Sequence, residues 1–255
     1  AAAPKRLSRA EAEALVRAGF TLAVVYQDHG NSPDGFSEAA GRLAGRRAHD
    51  YAQSVIGQPE GSAIYFAVDF DASTTDLRER IVPHFRGIAE ALVEAGGGVA
   101  LYRVGAYGSG LTHETLLGAG LTSLAWLSMS MGHRRSRDFH RSGAWHIHQK
   151  LEERNVQTPF GTFAYDPDEI GKPDFGGFTL ELPPLPSLPG LRFRVIAREG
   201  LVLRSGPGRE FDKIRTLGEG TILSILSRTG DWALVDLQGD GRADGHCHSA
   251  FLVPA

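Results

Sequence analysis

Four prolines within seven positions, Pro183, Pro184, Pro186 and Pro189, do more than any other feature to limit what this chain can fold into. Proline fixes φ and lacks an N–H, so neither a helix nor a central strand can pass through the cluster, and an extended, stiff connection is what remains. The spacing predicts a linker over 175–190 between a body at 1–174 and a smaller one at 191–255. With 255 residues, 42% of them hydrophobic and 22% charged, the composition is that of a globular protein with a sizeable core. A formal net charge of −3 gives no general attraction for nucleic acid or anionic lipid, so nucleic acid is not an expected partner. Cys247 is the single cysteine, which excludes an intrachain disulfide and a cysteine-built zinc site. No apolar run approaches the roughly 20 residues of a membrane span. The first six residues are too short for a signal peptide.

Ahead of the prolines, helical and strand patterns alternate. Leu7 to Gly19 reads as a helix with Ser8 as N-cap, Glu11 at the capping-box position and Gly19 as the stop. Strands are expected at 21–27, 63–71, 99–107, 123–130, 145–151 and 163–168, with helices over 36–56, 76–95 and 112–117. Pro83 must lie in the first two turns of its helix or bend it. Strands alternating with helices argue for a parallel sheet, and the lack of long polar insertions suits a barrel.

The strand at 63–71 carries the chemistry. Side chains alternate across a strand, so Ile64, Phe66, Val68 and Phe70 share one face while Tyr65, Ala67, Asp69 and Asp71 share the other. Two carboxyls therefore emerge together at the strand's C-terminal end, where barrel enzymes build their sites and where a pair of acids can cleave a glycosidic bond. The competing reading is a loop that caps the next helix, with Asp71, Ser73 or Thr74 as the cap.

The first body resembles the bacterial glycoside-hydrolase-like barrels related to glycoside hydrolase family 25 lysozymes. The resemblance runs through Ile64 to Asp71, Val104 to Gly110, Leu124 to Ser130, Trp145 to Gln149 and Tyr165 to Asp168, and covers residues 5 to 172. It implies a TIM-type (βα) barrel with Asp69 and Asp71 in the places of the lysozymes' paired acids and Asp166 as the last-strand acid. Asp71 stands where those enzymes carry glutamate, and the first two strands of the eight have no counterpart. The expected fold is thus an α/β barrel open along two edges. Tyr107, Trp126, Gln149 and Asp168 fall near strand ends as candidate sugar-binding groups, with core packing the alternative for Trp126.

The segment after the prolines alternates short β-rich runs with turn signals such as Ser205-Gly-Pro-Gly208, Gly218-Glu-Gly220 and Gly239-Asp-Gly241, which reads as a small all-β domain. Gly200 to Gly208, Thr216 to Thr221, Gly230 to Val235 and Ser249 to Leu252 make it resemble a bacterial SH3-type domain, a family that usually binds peptidoglycan or other wall polymers. Trp232 is expected to plug or flank its core.

Together the resemblances imply a secreted or wall-associated glycan hydrolase of lysozyme type, with Asp71 protonating the leaving oxygen and Asp69 or Asp166 stabilising positive charge. The alternatives are a catalytically silent wall-binding protein and a protein-interaction module. No cofactor is expected. The acids between Asp236 and Asp244 lack a full calcium-loop pattern and read as a tight hairpin. His146 and His148 have no neighbouring ligands at metal spacing. Ser109 has no nucleophile-elbow context. The basic stretch His133 to Arg141 reads as a solvated loop, with contact to acidic wall polymer as the alternative.

Overall fold

The computed structural model describes residues 6–28, 30–151, 154–158, 161–182 and 192–255. The proline cluster lies outside these residues. The chain divides into two compact units, one α/β and one all-β.

The first element is α1 (Arg9–Arg17), and in the α/β unit β1 (Val24–Tyr26) is followed by α2 (Glu38–Asp50), which leads through a π-helical stretch at Tyr51–Ile56 to β2 (Ala63–Ala67). A short turn α3 (Thr74–Asp76), a second π-helical stretch (Leu77–Ile81) and α4 (Val82–Ala95) precede β3 (Arg103–Gly108). Then come α5 (Gly110–Gly118), β4 (Leu124–Leu127), α6 (Ser136–Ser142) and β5 (Ile147–Gln149). The expected caps are in place: Ser8 Oγ accepts from the Glu11 N–H at 3.2 Å, and Ser73 forms a reciprocal box with Asp76. Ser73 thus caps the helix after β2, which leaves Asp71 for other contacts. Pro83 is the second residue of α4, one past the π-helical stretch, whose wider turn accommodates a residue without an N–H.

Strands β1 to β5 lie side by side in chain order and pair in parallel. A parallel sheet wound in one direction keeps its helices on one face and curls away from them, so this is the arc of a barrel. The outer face bears the main core, in which Ile64, Phe66, Val68 and Ala106 meet Phe85, Ile88 and Leu92 of α4. The alternation read from the sequence of β2 holds, because Ala63 and Tyr65 belong to a separate inner-face cluster with Leu124 and Ile147. Helices α2 and α4 approach closely through glycine: a Cβ on Gly45 would lie 2.8 Å from the Ile88 carbonyl oxygen. Gly105 is required too, since Tyr65 lies across it and a Cβ would meet that ring at 2.5 Å.

The sixth strand departs from expectation. The run read as one strand at 163–168 divides between a hairpin, β6 (Arg154–Thr158) with β7 (Gly161–Tyr165), and β8 (Asp168–Ile170), which joins β5 in antiparallel sense. Pro167 interrupts the run, and a proline cannot donate to a ladder from inside a strand. The sheet is therefore a curled half-barrel. Among the described residues β1 pairs with β2 alone, and a groove of about 820 Å³ runs beside β1, lined by Val24, Tyr26, Tyr51, Val55 and Ile56. The expected linker also begins too early. Phe175 to Leu180 belongs to the α/β unit: the Ala63 N–H donates to Gly176 O, Leu22 pairs with Phe178, and Phe178 and Leu180 are buried.

The all-β unit is one antiparallel sheet of seven strands in the order β11-β10-β14-β13-β12-β9-β15, where β9 is Arg192–Val195, β10 Leu201–Arg204, β11 Lys213–Leu217, β12 Ile222–Thr229, β13 Trp232–Asp236, β14 Gly245–His248 and β15 Leu252–Pro254. A register break between Ile225 and Ser227 lets the long β12 bend from β9 to β13. Val195, Leu203, Ala233, Val235 and Cys247 form the fully buried centre. Trp232, expected to plug or flank this core, is half-buried and lies edge-on to His248 at 5.5 Å, while Phe193, Ala197, Ile225 and Leu237 pack against the core. The acids after β13 bind their own turn: Asp236 accepts from the N–H groups of Gln238, Gly239 and Gly241, and Asp244 from that of Leu237.

Candidate functional site

Asp69 stands two residues beyond β2 at the C-terminal end of the sheet. Its N–H donates to Gly30 O at 2.7 Å, and its Oδ2 accepts from Gln27 Nε2 at 3.3 Å, just past β1. On β3, the Tyr107 hydroxyl donates to Gln149 Oε1 on β5 at 2.7 Å, and Gln149 Nε2 donates in turn to Asp166 Oδ2 at 3.2 Å. On β4, the Trp126 indole N–H donates to Asp168 Oδ1 at 2.8 Å. The rings interlock edge to face, Trp126 lying 6.0 Å from Tyr107 and 5.4 Å from Tyr65. Trp126 packs against the inner-face cluster while its N–H is given to Asp168.

Three carboxyls act on one phenol. Desolvation raises the Tyr107 pKa, and Asp69, Asp168 and Asp166 raise it further, so the hydroxyl stays protonated and remains a donor. Asp168 differs from its neighbours. Although the residue is exposed, crowding around its carboxyl raises its pKa; the Trp126 N–H pulls it back, and Asp166 adds to the rise. A carboxyl held above its ordinary range beside a second carboxyl is the arrangement that gives acid chemistry at moderate pH.

Asp71 is the residue that does not join. Arg134 takes up both of its oxygens: the Arg134 backbone N–H donates to Oδ1 at 2.8 Å, and the guanidinium donates to Oδ2 at 2.6 Å and to the Asp71 carbonyl at 2.8 Å. A carboxylate accepting on both oxygens presents no proton to a sugar, which weighs against the role of proton donor expected for it. The basic stretch around it is neutralised internally, with Arg135 on Glu114 and Asp138, and Arg141 on Asp138. His148 lies against His140 and Trp145, and His146 Nδ1 accepts from the Ala125 N–H; burial lowers the pKa of each. Ser109 is a buried helix cap for Thr112. Sequence reasoning missed Gln27 and Arg134 as partners of the acids. Gln27 closes an apolar strand at the same end as Asp69, which is a usable signal; Arg134 had none.

A profile of the Rv2525c-like, glycoside hydrolase-like domain matches residues 1–168, well over half of the chain. The chain belongs to this family. A bacterial SH3 domain matches residues 199–253. The protein YbfG of Bacillus subtilis, itself uncharacterized, is 26% identical over 239 residues, 90% of this chain but 32% of YbfG. The uncharacterized FadG of the same organism is 32% identical over 103 residues, 40% of this chain and 17% of FadG. The chain thus spans about a third or less of these relatives. The crystal structure of the Tat-secreted Mycobacterium tuberculosis protein Rv2525c, in complex with HEPES, superposes with a TM-score of 0.54 at 25% identity, covering 68% of this chain and 78% of that one. A second crystal form of Rv2525c, with L-tartrate, gives 0.53 at 24% identity and shows the fold alone. This Rv2525c-like chain therefore couples a glycoside hydrolase-like domain to a bacterial SH3 domain. No helix among its described residues is long and apolar enough to cross a membrane.

Proposed function

We propose that this protein is a cell-wall glycan hydrolase of lysozyme type that works outside the cell, with its SH3 domain holding the polymer. The observation that carries the reading is the set of Asp69, Asp166 and Asp168 around Tyr107 at the C-terminal end of the parallel strands. Asp168 keeps a proton to higher pH than an ordinary carboxyl and donates it to the glycosidic oxygen as the bond breaks. Asp69 or Asp166 faces the oxocarbenium-like centre, and water completes the hydrolysis. Tyr107, Gln149 and Trp126 hold the sugar and the acids in place. The secretion of Rv2525c and the SH3 domain support the location and the polymer.

Release of reducing ends from purified peptidoglycan, lost in Asp168→Asn, tests the activity. A second reading is favoured by the occupied state of Asp71: a groove that binds wall glycan without cleaving it. Co-sedimentation with insoluble wall at no reducing-end release would select that reading, and absence of both would dismiss the two together.

A further inference from the structure

The loop between β4 and α6 leaves the sheet two residues after Trp126 and passes across the ends of two neighbouring strands before α6 begins. The Ser128 N–H donates to Gly108 O at the end of β3. Further on, the Leu111 N–H at the start of α5 donates to Arg134 O at 2.9 Å, and the Gly110 N–H donates to Ser136 Oγ at 3.1 Å. Gly110 has to be glycine, because a Cβ there would run into the Arg135 carbonyl oxygen and would lie 2.6 Å from the Ser136 nitrogen. Beyond α5, Arg134 reaches Asp71 at the end of β2 with three hydrogen bonds.

Arg135 sits at φ 62°, where no other non-glycine residue in the described chain is found. A side chain is strained in that left-handed region, and such a conformation persists only where its surroundings fix it. The fixing groups are identifiable. Arg135 is held by Glu114 of α5 at 3.0 Å and by Asp138 at 2.6 Å, with the Asp71–Arg134 pair on its other side.

We propose that residues 128–136 are a strap tied across the C-terminal ends of β3 and β2 beside the candidate site, and that Asp71 is its anchor, a positioning residue that fixes the strap next to Trp126. The activity arm of the test rests on the hydrolase reading above; the strap itself does not. Asp71 and Asp69 share a strand face by sequence, yet their carboxyls have different partners: Arg134 holds Asp71, and Gln27 donates to Asp69. Asp69 stays with the candidate site, and Asp71 holds the loop beside it.

The test is amide hydrogen exchange in the full chain, comparing wild type with Asp71→Ala, Arg134→Ala and the double variant. The amides of Leu111 and of residue 134 should exchange about tenfold faster in each single variant, the loss expected of one charge-assisted pair, with β2 to β4 unchanged. Arg134→Ala keeps the backbone N–H on Asp71 Oδ1 and Asp71→Ala keeps the guanidinium on the Asp71 carbonyl, so the double variant, which loses all three bonds, should be at least as fast as either single one. Unaltered exchange at these amides in Asp71→Ala would overturn the proposal, whether or not any glycan is cleaved. Where reducing-end release from peptidoglycan is measurable, Asp71→Ala should lower kcat/KM by the same factor at every pH. Loss of one limb of the pH profile would instead make Asp71 a proton-transferring group and overturn the anchor.

Discussion

The two ends of the half-barrel sheet carry acids of the same kind and treat them in opposite ways. At the N-terminal end of the strands, Asp174 receives both guanidinium nitrogens of Arg103 at 2.8 Å and the Gly176 N–H at 3.2 Å. Those donors lower its pKa to about 2. Nearby, the Tyr65 hydroxyl donates to Phe175 O at 2.6 Å and fastens the segment that closes this end. At the C-terminal end, beside the Arg134-bound Asp71, the donors to Asp69, Asp166 and Asp168 among the described residues are the neutral groups of Gln27, Gln149 and Trp126. The difference lies in the partner and not in the acid. A carboxyl given a cation becomes a clasp, and one given an amide or an indole keeps its charge uncommitted and can meet a cationic centre.

The comparison breaks most easily at Asp168. If the open end is the chemical one, Asp168→Asn should lower reducing-end release about 10²- to 10⁴-fold, the usual contribution of a general acid, while the denaturation midpoint stays near that of wild type. The sign of its pKa fixes the pH dependence: activity that needs the protonated form falls as pH rises through a value above the ordinary carboxylate range. Loss of stability without loss of activity would reverse the roles of the two ends.

Gly105 lies where the ends meet, under Tyr65. Gly105→Ala should destabilise the unit by about 1–3 kcal/mol, as overpacking does, and should disturb the Trp126 ring that rests on Tyr65. Chemical denaturation and tryptophan fluorescence check both effects. Tyr107→Phe sharpens the contrast at the open end. It removes the donor to Gln149 and should reduce turnover about tenfold, equivalent to one buried hydrogen bond, with little change in unfolding.

The smallest effect belongs to the clasp. Asp174 is largely exposed, so solvent screens its pair with Arg103 and Asp174→Asn should cost less than about 1 kcal/mol. Because its folded-state pKa is depressed, that contribution is present above the ordinary carboxylate pKa and fades as pH falls toward about 2. Denaturation midpoints of wild type and Asp174→Asn should differ at pH 7 and converge in acid. A difference that persists there would mean that the aspartate acts through packing.

How far the sequence disclosed this arrangement depended on whether the signal was local. The phase of β2 follows from alternation within one strand, and the caps Ser8 and Ser73 from residues three apart, so each was readable. The positions of Tyr107 and Gln149 near strand ends were legible locally and that of Asp166 through the resemblance, but the hydrogen bonds that join them link residues 42 and 17 apart and had no local signal. Asp71 eluded the reading for the converse reason. Its partner lies 63 residues away in a loop whose arginines look alike in sequence, and nothing local distinguishes Arg134 from Arg135 or Arg137. The reversal of β8 escaped as well, because an apolar run interrupted by Pro167 does not declare the direction in which the chain resumes.

Cys247 at the centre of the all-β unit has a practical consequence. It is the one thiol in 255 residues, it is fully buried, and burial raises its pKa to about 11. A thiol so placed is closed to alkylating reagents until the sheet around it opens, and the α/β unit contains no thiol to compete with it. The rate of labelling in a slow titration with a thiol reagent therefore times the opening of the small unit alone, within the intact chain and without an engineered probe.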